Sequence, residues 1–215
     1  MDKATSDFSK AVELNPDDHL ARYRLALARL GAGDLSGYRR ACAALLDRFG
    51  QAELPDTARW ILVLAPDAVN DRNRLVLRGE EALRKDPHTG WASTILGATL
   101  YRADRFAEAI QRLNEANTAW EQAGTKPAMY SPAYLWFFLA MAHQRQGHAA
   151  EARRWLDKAQ KWMEQETQDS RNPAWNRRLT LQVLRREAEQ LLAAPATDPR
   201  APAKEEKPRA QAPSR

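Results

Sequence analysis

The chain has 215 residues and a formal net charge of +5, and alanine (39) and leucine (25) far outnumber valine (5) and isoleucine (3). Because strands favour β-branched residues and helices favour alanine and leucine, this composition excludes a β-rich fold. The single cysteine excludes a disulfide framework, and the apolar runs are too short to span a bilayer.

The positive charge is spread along the chain. Residues 193–215 carry five basic and three acidic side chains, and acidic residues are interleaved with arginine elsewhere. Phosphate binding needs clustered cations, so we do not expect nucleic acid as a partner, and electrostatic binding to it is the weakest functional interpretation. The N-terminus has no apolar signal segment, which predicts a cytoplasmic protein without membrane association.

Residues 2–16 predict one amphipathic helix. Ala4, Phe8 and Ala11 are spaced by four and three residues, which places them on one helical face. Pro16 ends this helix, and the following Asp17-Asp18 pair supplies an N-cap for the next one. No partner helix precedes it in the sequence. We therefore expect a fragment of a larger protein, a shortened open reading frame, or self-association through the exposed side of this helix.

The same pattern of small and large residues returns three times downstream. The copies are Leu75-x3-Gly79-x2-Ala82, Ala109-x3-Leu113-x2-Ala116 and Ala152-x3-Leu156-x2-Ala159. The last small positions of the first two copies are 34 residues apart, and those of the last two are 43 apart. A period near 34 residues predicts a helical repeat array.

A second helix precedes each of the two best copies. It carries Leu96-Gly97 in one case and Leu139-Ala140 in the other, at the same distance from the copy that follows. The small residue of each pair lets two helices approach closely, and a turn is predicted at Asp104 and at Gly147.

A 34-residue helix–turn–helix unit with these signatures resembles the tetratricopeptide repeat. The resemblance implies an all-α, right-handed α-solenoid of about four helix pairs over 1–192. Its expected parts are a half repeat at 2–16, complete repeats at about 19–50, 55–87, 90–122 and 133–165, and a capping helix at 173–192.

The predicted capping helix is followed by a tail. Asn172-Pro173 is a typical N-cap and first helical position, and apolar residues then recur at helical spacing to Leu192. Residues 193–215 are rich in proline, alanine and lysine, which predicts disorder because they bury too little to offset chain entropy.

In the tetratricopeptide family the first helices of successive repeats line a concave groove that holds a peptide. By resemblance, the groove residues are Tyr23, Trp91, Thr94, Tyr101, Arg102, Tyr134, Phe137, Met141, Gln144 and Arg145. The lysine and asparagine clamp of chaperone-binding members is absent. The groove therefore suits an apolar peptide segment or an intramolecular one, and coverage of its aromatic residues by the capping helix or the tail is an equal alternative. In a nine-residue insertion, interpreted as a loop, Met129 and Tyr130 would rim the groove if it is functional.

The sequence contains no residue pattern typical of a catalytic or metal site. His143 and His148 are five residues apart across the turn at Gly147, which does not match the i, i+4 spacing of a helical metal pair. Cys42 lies on an apolar helical face, where a cysteine is typically a small buried hydrophobe. We therefore expect a non-enzyme with no metal, cofactor or small-molecule substrate, and no catalytic residues.

Two functional interpretations lead. The first is a non-catalytic scaffold that binds a peptide or protein segment in the groove, with Arg102 and Arg145 orienting acidic groups. The second is a regulatory or structural segment, because the pattern loosely resembles the repeat regions C-terminal to kinase or WD40 domains in large bacterial proteins. On the first interpretation, replacing Tyr101 and Phe137 with alanine should weaken binding without unfolding the chain.

Overall fold

The fold is taken from a computed structural model that describes residues 2–50, 54–85, 90–122, 130–169 and 174–194. Within these ranges every regular element is a helix, which confirms the all-α expectation. The helices are α1 (Asp2–Leu14), α2 (His19–Gly31), α3 (Leu35–Phe49), α4 (Asp56–Ile61), α5 (Arg72–Lys85), α6 (Gly90–Arg102), α7 (Phe106–Gln122), α8 (Ala133–Arg145), α9 (Ala149–Asp169) and α10 (Trp175–Ala193). None of the helices in the described part of the chain is long and apolar enough to cross a membrane.

Side-chain caps set the start of two early helices. The Asp18 carboxylate accepts hydrogen bonds from the backbone N–H groups of Leu20 at 2.9 Å and Ala21 at 3.0 Å, as the sequence predicts for an N-cap. Asp34 caps α3 in the same way, accepting from the N–H of Gly37 at 2.7 Å.

Three helix pairs pack directly against each other: α2 with α3, α6 with α7, and α8 with α9. In the middle pair the backbones come close at Gly97, where an added Cβ would lie 2.6 Å from Leu113 Cγ. The predicted role of Gly97 in close helix approach is therefore confirmed.

The segment predicted as the second complete unit is the least regular. Helix α4 has only six residues, and turns and bends replace helix from Leu62 to Asp71. The buried Tyr38 side chain of α3 holds this segment. Its hydroxyl donates to the Ile61 carbonyl at 2.5 Å and accepts from the Ala65 N–H at 3.3 Å. Helix α4 packs on α2 and α6, and α5 packs on α6, so the two helices of this predicted unit do not pack mainly on each other.

Four helices form a row in which α2 contacts α4, α4 contacts α6, and α6 contacts α8. We call these four helices the helix row. Helix α10 contacts α8 and α9 at one end of the row and α2 at the other. It therefore connects the two ends of the row, and its buried residues belong to the same apolar core.

Helix α1 packs on α2 at the start of the chain. None of its residues from Lys3 to Leu14 is buried, and Leu14 is 78% exposed. Phe8 stacks on Trp175 of α10, with ring centroids 5.6 Å apart. Much of the surface of α1 is therefore exposed to solvent.

Some predicted features lie outside the described residues. These are Met129 in the insertion, the Asn172-Pro173 helix start and most of the tail, from residue 195 onward. Helix α10 begins at Trp175 with Ala174 as its N-cap, two residues after the predicted start at 173.

Candidate functional site

Helix α10 presents an apolar stripe to the helix row. Leu181, Leu184 and Ala188 are buried and follow one another at intervals of three and four residues, so they share one face. Arginine and glutamate occupy much of the rest of the helix. This is the pattern of a helix that docks by its apolar face into a groove.

One ion pair fixes α10 to the centre of the row. Arg102 of α6 binds the Glu187 carboxylate through both terminal nitrogens, and the second of these contacts, Nη2 to Oε2, is 2.7 Å long. The Arg102 Nε–H also donates to the Val63 carbonyl at 2.7 Å, and the guanidinium lies over the rings of Tyr101 and Phe138. All three guanidinium nitrogens of Arg102 therefore donate hydrogen bonds, and this fixed, planar group is well suited to orient one carboxylate.

This ion pair is shielded from water. The side chain of Arg102 is 9% exposed and that of Glu187 is 24% exposed. Burial alone would lower the pKa of Arg102, but the hydrogen bond and the charge of Glu187 outweigh it and raise that pKa. Removing either partner would leave the other charge buried without compensation.

Two tyrosines of the helix row face the first half of α10. Burial raises the pKa of Tyr23, while the neighbouring side chains of Asn176 and Thr180 oppose that shift. Burial also raises the pKa of Tyr134, again beside Thr180. These contacts place polar groups of α2 and α8 against the same turn of α10.

Helix α9 holds the flank of α10. The Arg177 guanidinium donates to Glu166 at 2.9 Å, and the Gln160 amide donates to Glu189 at 2.7 Å. Thus α10 is held by an apolar stripe in its middle and by polar contacts along its sides.

The structure places the ten predicted groove residues at different depths. Those that are buried are Tyr23, Thr94, Tyr101, Tyr134, Phe137 and Met141. Those that are partly buried are Trp91, Arg102 and Gln144, whereas Arg145 is exposed.

Several of these residues have partners in their own helix or in neighbouring segments of the chain. The Thr94 hydroxyl donates to the Gly90 carbonyl of its own helix at 2.8 Å. Trp91 stacks on Tyr130 with centroids 4.4 Å apart, and Arg145 lies over the Phe106 ring at 5.9 Å. With α10 in place, the predicted wall is therefore mostly closed to a separate peptide.

Burial bears on the expected effect of the alanine replacements. Phe137 is 0% exposed and Tyr101 is 5% exposed. Replacing Phe137 with alanine would leave a cavity in a closely packed core, so we expect this replacement to destabilise the fold in addition to any effect on binding. Sequence reasoning also did not identify Glu187, the residue that meets Arg102.

A second feature is an open cleft of about 620 Å³ between α3, the irregular segment and α5. Its arginines are Arg39, Arg40, Arg74 and Arg78, and its aspartates are Asp47, Asp67 and Asp71. Four cations are thus largely offset by three carboxylates, and Asp67 is already bonded to Arg72 at 2.5 Å. The cleft is large enough for a small ligand, but the charges of its lining do not favour an anionic over a cationic one.

The structure brings His143 and His148 together. Their Nδ1 atoms are 3.4 Å apart across the α8–α9 turn, so the expectation that this turn separates them is wrong. Burial lowers the pKa of His143, and the charge of His148 adds a smaller shift in the same direction. The i, i+4 rule applies to a straight helix, and here the chain reverses direction between the two residues.

The remaining chemistry is sparse. Burial raises the pKa of the Cys42 thiol to about 12, which keeps it protonated and inert. Over the described ranges, no group of three or more histidine, cysteine, aspartate or glutamate side chains is arranged to hold a metal ion.

No protein-family model matches the sequence, and no curated protein matches it.

Proposed function

We propose that the chain is a tetratricopeptide-like, non-catalytic interaction scaffold whose helix row binds an amphipathic helix. Helix α10 is such a helix, bound within the same chain. The observation that carries the proposal is the seat of α10, where an apolar stripe lies on the row and Glu187 meets Arg102. Apolar burial supplies affinity, and the buried ion pair sets position and direction.

The repeat resemblance supports the same proposal. In the tetratricopeptide family the first helices of the repeats line the concave side of a right-handed solenoid, where peptide partners bind. The corresponding helices here are α2, α4, α6 and α8, which form the row. Helix α10 then occupies the place that a partner would take.

The seat also defines the partner's chemistry. A competing helix needs apolar residues in the places of Leu181, Leu184 and Ala188. It also needs a carboxylate three residues after the second of these, matching Glu187. A cytoplasmic protein segment with this pattern is the proposed partner.

Capture from the source cell extract with three full-length baits tests this function. Glu187→Ala weakens the hold on α10 but leaves Arg102 free, so it should capture more partner than the wild type. The Glu187→Ala/Arg102→Met double variant keeps the apolar surface but lacks the cation, and it should capture less than Glu187→Ala. Equal capture of the same proteins by all three baits would contradict the proposal.

A structural role without a separate partner is the competing proposal, and the occupied row also favours it. On that proposal α10 closes the array permanently, as a capping helix does. The extract experiment separates the two, because a structural segment captures nothing specific on any of the three baits.

A further inference from the structure

The turn between α8 and α9 has a defined hydrogen-bond geometry. Gly147 adopts a left-handed conformation with φ of 77°, and the His148 N–H donates to the His143 carbonyl at 2.9 Å. This six-to-one bond is the Schellman motif, which brings the side chains of its two end residues into contact. The two histidines are therefore positioned by the backbone of the turn.

The side-chain geometry matches a chelate. The Nδ1 atoms are 3.4 Å apart, with ring centroids 5.6 Å apart and the ring planes inclined at 51°. Tetrahedral zinc bound to nitrogen at about 2.0–2.1 Å needs a nitrogen–nitrogen separation of about 3.3 Å. Without a metal ion the same contact is a long hydrogen bond between the two rings, since N–H···O bonds are commonly about 2.9–3.0 Å long.

The fold does not require histidine at these positions. The turn between α2 and α3 has the same six-to-one bond, from the Asp34 N–H to the Arg29 carbonyl. The turn between α6 and α7 has it from the Arg105 N–H to the Leu100 carbonyl. Neither turn pairs two metal-binding side chains, so the imidazole pair is specific to the third turn.

We propose that His143 and His148 form a two-nitrogen site for a late first-row divalent metal ion, with water completing its coordination. Imidazole nitrogen suits zinc, nickel and copper, whereas magnesium and calcium prefer oxygen. The bound ion would link the C-terminal turn of α8 to the start of α9. The site lies outside the α10 seat and is independent of the proposed binding role.

The surroundings allow a cation to bind. His148 is exposed and His143 is partly buried, so solvent reaches the pair. The Glu151 carboxylate attracts a cation at His143 and the Arg154 guanidinium repels one, and these two side chains form an ion pair of 2.9 Å.

Calorimetric titration of the full chain with zinc, nickel and copper chlorides tests the site. We expect one ion per chain and binding at least about tenfold weaker in both His143→Ala and His148→Ala. Gln146→Ala, in the same turn, and His19→Ala, on a distant helix, are matched controls that should bind as the wild type does. Copper-bound protein should show two equivalent nitrogen ligands in its electron paramagnetic resonance spectrum.

Thermal unfolding with and without zinc gives a second measurement. Zinc should raise the melting temperature of the wild type but not that of His148→Ala. Absence of saturable binding by the wild type would overturn the proposal. Binding that survives both histidine replacements would overturn it as well.

Discussion

Helices α8 and α1 have similar lengths but opposite environments. Every residue of α8 from Ala133 to Ala142 is buried, whereas none of α1 from Lys3 to Leu14 is. Helix α8 is surrounded by α6, α7, α9 and α10, while α1 packs on α2 and meets α10 where the rings of Phe8 and Trp175 stack. Position in the array, more than helix length, therefore decides how much each helix buries.

The comparison also shows what an apolar helix face means in such an array. A helix that is apolar on all sides is typically buried on all sides. The aromatic surface of α8 was predicted as a wall for a partner, and in the structure it lies within the core beside α10. The available surface depends on whether α10 stays docked.

The largest expected effect is on α8. Phe137→Ala should lower the free energy of unfolding by about 3–5 kcal/mol, because it empties space in a fully buried site. Phe8→Ala in the partly buried α1 should cost only about 1 kcal/mol. Urea denaturation followed by circular dichroism measures both, and equal costs would remove the contrast between the two helices.

The second effect concerns the helix that covers α8. Glu187→Ala should cost about 3 kcal/mol, since it leaves the buried Arg102 charge unpaired. The matched control is Arg185→Ala on the same helix, which breaks an exposed ion pair with Glu189 and should cost at most about 0.5 kcal/mol. A small effect of Glu187→Ala in the same urea assay would show that this ion pair contributes little to holding α10 in place.

The third prediction addresses packing next to α8. Gly97→Ala should cost about 1–3 kcal/mol, because the new Cβ meets Leu113 Cγ at 2.6 Å. Gly90→Ala is the control, since its Cβ would meet atoms only at ordinary distances of 3.6 Å. Thermal unfolding of both variants should show a loss for the first and little change for the second.

The smallest expected effect lies in the turns. Asp104 adopts φ of 60°, a conformation that glycine accepts without strain, so Asp104→Gly should stabilise by about 0.5 kcal/mol. Its exposed ion pair with Arg72, at 3.2 Å, contributes little. Gly147→Ala should destabilise by about 1 kcal/mol, because the same conformation is disfavoured for alanine. Changes of the same sign in the two variants, measured by thermal unfolding, would contradict this assignment.

Much of the helical architecture could be predicted from local patterns. The spacing of Ala109, Leu113 and Ala116 defines a helical face, and Asp18 supplies the cap that starts α2. The irregular stretch after α4 was harder to predict, because the spacing of its apolar residues is also compatible with a helix. Pro66 and Asp67 were its local signals, but the hydroxyl of Tyr38 that holds it comes from another helix.

The candidate site could be predicted only in part. Arg102 was identified from the sequence, but its partner Glu187 is 85 residues further along the chain. Local residue spacing does not reveal contacts between residues so far apart in sequence. The proximity of His143 and His148 was missed because the rule applied to them assumes a straight helix. A Schellman turn places residues five apart in contact, and Gly147 was its signal.

The most direct test asks whether the helix row binds α10 as a ligand. Leu184→Asp in the full chain puts a charge into the buried stripe and should release α10 while the other helices stay folded. A fluorescently labelled peptide of residues 174–194 should then bind this variant in a one-to-one complex and bind the wild type much more weakly. The same peptide with Glu187→Arg, which faces Arg102 with like charge, should bind poorly to both.

Peptide anisotropy and circular dichroism of the variant decide the outcome together. Tight binding to a helical Leu184→Asp chain is the predicted result. Failure of the peptide to bind, or equal binding to variant and wild type, would contradict the account. Loss of all helical signal in the variant would contradict it too, because α10 would then be an inseparable part of the core rather than a bound helix.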